Sequence, residues 1–69
     1  MCLIHLLATI PDDENIRVAY KGEYTEVMSV HDFLRSIDDS KRLHLETRNV
    51  DLVWYSKLYN AITIEVVDN

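Results

Sequence analysis

The chain has 69 residues, of which 48% are hydrophobic and 28% charged, and a formal net charge of −5. That length holds one domain, residues 1–69, and the apolar content excludes a disordered chain. The seven Lys and Arg are scattered among twelve acids, which argues against direct binding to a nucleic-acid backbone, since that needs a concentrated positive stripe. A domain this small buries only about 60% of its unfolded surface, and such domains are often stapled by disulfides, a metal or a partner chain. Cys2 is the single cysteine, so no intrachain disulfide can form. A homodimer is the simplest expected staple.

Leu3, Leu6, Leu7 and Ile10 fall at i, i+3, i+4 and i+7, one face of an amphipathic helix. Pro11 ends it, because the residue before a proline is driven out of the helical region. This apolar start lacks a positive leader and is far shorter than the ~20 residues of a membrane span. Residue 2 is not glycine, so N-myristoylation is not expected. No membrane association and a reducing, cytoplasmic setting are the expectation.

After the acidic turn of residues 12–15, Ile16, Val18 and Tyr20 alternate with Arg17 and Ala19 as a first strand. Lys21-Gly22 is a tight turn, with Gly22, the sole glycine, free to take positive φ. Residues 23–28 return as a second strand of weaker pattern. Ser29 caps a second helix, with Asp32 three residues on in the manner of a capping box. Val30, Phe33, Leu34 and Ile37 form its stripe, and Asp38-Asp39-Ser40 end it. Residues 41–49 read equally as a short strand or as a loop that dips two leucines into the core.

The clearest signal is the stretch 50–67, a β-hairpin broken by residues 56–60. Uninterrupted alternation puts Val50, Leu52 and Trp54 with Ile62, Ile64 and Val66 on the core face, and Val53, Tyr55, Thr63, Glu65 and Val67 on the other. The order α-β-β-α-β-β predicts an α+β fold: a two-layer sandwich with a mostly antiparallel sheet and two short helices on one face.

No constellation of catalytic groups stands out. His5, His31 and His44 lie on three separate elements, and none pairs with Cys, Asp or Glu at a metal-ligand spacing. The runs Asp12-Asp13-Glu14 and Asp38-Asp39 lack the alternate oxygen ligands and central glycine of a calcium loop. Cys2 has no Lys or Arg in its helix to activate it. One glycine cannot build a phosphate cradle. Neither an enzyme nor a cofactor is therefore expected. The tyrosines at the hairpin tip are the leading functional residues, because Tyr and Trp carry interface energy with few rotors. Trp54 is expected in the core. Val53, Tyr55, Lys57, Tyr59 and Glu65 are the expected protein-binding surface.

The run from Leu6 to Val18, Leu-Leu-Ala-Thr-Ile-Pro-Asp-Asp-Glu-Asn-Ile-Arg-Val, with the following Gly-Glu-Tyr and Ser-Val-His-Asp-Phe-Leu, resembles small proteins encoded in phages and mobile elements of Gram-positive bacteria. The resemblance covers about the first half of the chain and brings no catalytic residues. It implies a setting in which small acidic proteins inhibit host defence, as anti-CRISPR proteins do. The expected function is a non-enzymatic protein-binding module, an inhibitor that docks on the basic surface of a nucleic-acid-binding protein. The alternatives are a homo-oligomer that sequesters or senses a small molecule through Arg17, Arg35 or Arg48, and a structural subunit of a larger assembly.

Overall fold

A computed structural model describes residues 1–36 and 45–68. Two short α-helices and a mixed five-stranded sheet make an α+β domain.

The first helix, α1 (Leu3–Leu7), stops before Pro11. Its single turn of packing comes from Leu3 and Leu7, both buried. The turn after Pro11 closes through a hydrogen bond from the Glu14 N–H to the Pro11 carbonyl, 3.0 Å. Strand β1 (Asn15–Tyr20) follows. The tight turn forms as expected, but both of its residues take positive φ, Lys21 at 52° and Gly22 at 82°. That pair is the mirror-image two-residue turn whose twist suits a hairpin, and it sets Tyr20 opposite Glu23.

The returning strand is not continuous over residues 23–28. It divides into β2 (Glu23–Tyr24) and β3 (Met28–Ser29), both antiparallel to β1. Thr25 explains the break. Its N–H bonds the Val18 carbonyl at 2.8 Å, and its hydroxyl accepts from the Val18 N–H at 2.9 Å. A side chain thus takes the place of a backbone acceptor, and the ladder lapses until Met28.

Helix α2 (Val30–Arg35) starts on the cap read from sequence: the Ser29 hydroxyl accepts from the Asp32 N–H at 3.1 Å. Val30 and Phe33 are buried and Leu34 packs beside them. Ile37 and the proposed stop at residues 38–40 lie outside the described residues, although Ser36 already caps the helix. Of the ambiguous stretch 41–49, the described part opens with a 3-10 turn, Leu45–Thr47, that sinks Leu45 into the core.

The closing hairpin is β4 (Asn49–Ser56) and β5 (Ala61–Val67). Strand order is β2-β1-β5-β4. The sheet is mostly antiparallel, as expected, but mixed: at its centre β1 and β5 pair in parallel with Ile16 beside Ile62 and Tyr20 beside Val66. Three flanking pairings are antiparallel. Residues directly paired across strands share a face, so Ile16, Val18, Ile62, Ile64 and Val66 lie together. They form one cluster with Leu3, Leu7, Val30, Phe33 and Leu45.

A correction concerns β4. The register slips between Val50 and Leu52, which leaves Asp51 as an extra residue, a β-bulge. Val50 pairs with Val66, but beyond the bulge Leu52 pairs with Glu65, Val53 with Ile64 and Trp54 with Thr63. The alternation therefore inverts midway. Val53 and Tyr55 share the face of Ile62 and Ile64, and Leu52 and Trp54 take the opposite face. Trp54 is not a core residue.

Candidate interaction surface

Strand β4 is an edge of the sheet, and its outer side has two parts. At its start the chain terminus lies along it: Cys2 bridges to Asn49, the Val50 N–H donates to the Met1 carbonyl at 2.8 Å, and the Leu3 N–H donates to the Arg48 carbonyl at 2.9 Å. Past Asp51, residues 52–56 have β5 on one side and, among the described residues, no strand on the other. This free segment reads Leu-Val-Trp-Tyr-Ser and carries no charge. Leu52, Val53, Trp54 and Tyr55 are all exposed, and Leu58 in the adjoining turn is 82% exposed. An edge that is long, apolar and unguarded by lysine is uncommon among soluble domains, because it templates pairing with another strand.

The face opposite the core is built around Arg17. The registers place Arg17 on β1, Thr63 on β5 and Trp54 on β4 in one row across the sheet. Arg17 Nε donates to Thr63 Oγ1 at 2.8 Å. The ring centroids of Tyr24 and Tyr59 each lie 4.3 Å from Arg17 Cζ, and that of Trp54 lies 5.4 Å away. The side chain is thereby only 8% exposed, and Thr63 beneath it is fully buried. Each ring over the cation contributes about 0.5–2 kcal/mol, more where water is excluded. Trp54 is fixed from its other side, its Nε1–H donating to Glu65 Oε2 at 2.8 Å.

A second polar cluster sits where β1 ends. Tyr20 donates its hydroxyl to Asp68 at 2.7 Å, Arg48 also bonds Asp68 and stacks 4.1 Å over the Tyr20 ring, and Lys21 lies 3.6 Å from the same carboxylate. The Tyr20 hydrogen bond, followed by the charges of Lys21 and Arg48, holds the Asp68 carboxyl below the ordinary carboxylate value. Tyr20, followed by Asp68, holds the Lys21 ammonium above its ordinary value.

The structure thus divides the five residues expected to form one binding surface. Tyr59 and Glu65 join the Arg17 face. Val53 and Tyr55 stand exposed on the core side of the β4 edge. Lys57 is exposed in the turn of residues 57–60. Sequence reasoning missed Arg17 and Tyr24 as members of the surface. An arginine flanked by apolar strand residues reads as a solvated outward position, and its burial depends on rings from three other segments. His5 and His31 are exposed, His44 lies outside the described residues, and among those described no three His, Cys, Asp or Glu converge as for a metal. No helix of the described chain is long and apolar enough to cross a membrane.

Fold and surface together define a small α+β domain with a mixed sheet, an edge strand whose segment 52–56 is uncharged and largely apolar, and an arginine-centred aromatic face. No family model, curated protein or solved structure matches the chain.

Proposed function

We propose that this chain is a non-enzymatic protein-binding module, a two-layer α+β sandwich that adds an extended strand of its partner to the free edge of β4. One observation carries the reading: among the described residues, nothing pairs with the outer edge of residues 52–56, which is uncharged and has large apolar side chains exposed on both faces. Strand addition supplies main-chain hydrogen bonds for affinity and alternate side-chain contacts for specificity. Tyr55 and Val53 would grip one face of the incoming strand, and Leu52 and Trp54 the other.

The partner expected from the sequence resemblance is a basic nucleic-acid-binding protein of a host defence system. The net charge of −5 favours such an encounter through long-range attraction. The same edge also suits a second copy of the chain. An antiparallel pairing centred on Trp54 sets Val53 against Tyr55 of the copy and brings no like charges together.

Val53→Lys tests both versions, because a lysine on an edge strand opposes strand addition while its exposed site tolerates the charge. Sedimentation of the wild-type chain through the micromolar range should show a dimer that Val53→Lys dissociates. A wild-type monomer would remove the self-pairing version. A captured host partner that Val53→Lys retains as well as wild type would remove strand addition altogether.

A further inference from the structure

We propose that Arg17 anchors a socket for the carboxylate of a small organic acid. The site lies on the face opposite the core and does not depend on strand addition at β4, so either reading can fail alone. It singles out Arg17 from the three arginines considered for a small-molecule role.

The argument begins with a missing counter-charge. Arg17 is more than nine-tenths buried, yet among the described residues no carboxylate lies within ion-pairing distance of it. A buried cation normally acquires such a partner, since its desolvation is costly. Glu65, the acid on the same face, is engaged instead with the indole of Trp54. Among the described residues, the guanidinium of Arg17 makes one hydrogen bond, through Nε. That bond and the flanking Tyr24 and Tyr59 rings fix the plane of the group. Both terminal nitrogens are left without an acceptor among the described residues, and neither is sealed away from solvent. A guanidinium presents its N–H groups as a flat fork, which a planar two-oxygen anion meets with two parallel hydrogen bonds.

The surroundings select among oxyanions. Among the described residues, Arg17 is the one cation in contact with these rings, so the described site offers a single positive charge, which balances a monoanion. A phosphate dianion would leave excess negative charge beside Glu65, in a protein that is already acidic. The walls are Tyr24, Trp54 and Tyr59, whose exposed ring surface suits an apolar body behind the carboxylate. An aliphatic monocarboxylate meets all three conditions.

Trp54 is the sole tryptophan and lies against the site, so its emission reports occupancy. Sodium butyrate titrated at constant ionic strength should change that emission saturably, with a Kd on the order of 1 mM for so small a ligand. Sodium chloride and sodium phosphate should give no saturation. Arg17→Lys keeps a charge but loses the flat fork and should weaken butyrate about tenfold or more. If thermal melting shows that Arg17→Lys is unfolded, Thr63→Val serves instead. It frees Nε without changing side-chain volume and should weaken binding about fivefold, the loss expected of one orienting hydrogen bond. In 15N spectra, butyrate should shift the side-chain resonances of Arg17 and leave those of Arg35 and Arg48 in place. The assignment is overturned by an absence of saturation, by phosphate binding as tightly as butyrate, or by undiminished binding in the folded variant.

Discussion

Deleting Asp51 is the sharpest test of how β4 is built. In an uninterrupted strand, removing one residue inverts the faces of everything on one side of the cut. Here the deletion should do the reverse. Val50 already pairs with Val66 and Leu52 with Glu65, so excising Asp51 joins two segments that keep their partners. The exposed Asp51 side chain takes little packing with it. One fewer residue to order favours folding by about 1–2 kcal/mol. Straightening the strand would strain the two hydrogen bonds that tie residues 48 and 50 to the terminus, a loss of about 1 kcal/mol each. The two effects nearly cancel, and the net change should stay within about 1 kcal/mol. Without a bulge, the deletion would turn half-buried Val50 outward and Asn49 inward. That costs roughly 1.5 kcal/mol of lost burial and about 1–3 kcal/mol for the polar group. A domain of this size is stable by roughly 3–10 kcal/mol, so urea unfolding separates the outcomes readily. A fall of 3 kcal/mol or more on deletion would refute the bulge and the face assignment that follows from it.

Two further outcomes follow from the turn and the polar cluster. Gly22→Ala should cost about 1 kcal/mol in urea unfolding: an added Cβ meets nothing within 4 Å, so the penalty at φ 82° is one of backbone conformation. Asp68, held below its ordinary value of 3.8, contributes stability that is complete above that value and is lost as pH falls through its lower folded value. Lys21, held above 10.5, contributes stability that is present below that pH and lost as pH rises through its higher folded value. Asp68→Asn should therefore flatten the acid limb of melting temperature against pH and weaken the alkaline one, while leaving the neutral plateau nearly level. An acid limb unchanged in this variant would show that the Tyr20 bond forms no more strongly to the charged carboxylate.

What could be read from the sequence was local. Ser29 and Asp32 are three residues apart, and the cap they form needs nothing else. Lys21-Gly22 and the hairpin arms of residues 50–67 were legible for the same reason. Helix α1 was legible as a stripe, although its winding ends sooner than Ile10. The bulge escaped because period-2 alternation has no mark for an extra residue, and Asp51 looks like any outward position. The parallel pairing of β1 with β5 escaped because no local pattern states which strands are neighbours. Arg17 escaped because its burial is supplied by Tyr24, Trp54 and Tyr59, each on a different segment.

The central parallel pair also has a kinetic consequence. Arg17 and Thr63 stand side by side but 46 residues apart, and the last strand of the sequence is an inner strand of the sheet. Closing so long a loop must precede the contacts that reward it, so formation of the core should be slow for so small a domain. A nascent chain that ends before Ala61 can form the β1–β2 hairpin, yet the edge of β1 that β5 will occupy stays open, with Ile16 and Val18 uncovered. During synthesis the vulnerable edge is therefore on β1, and it passes to β4 once the final strand is in place.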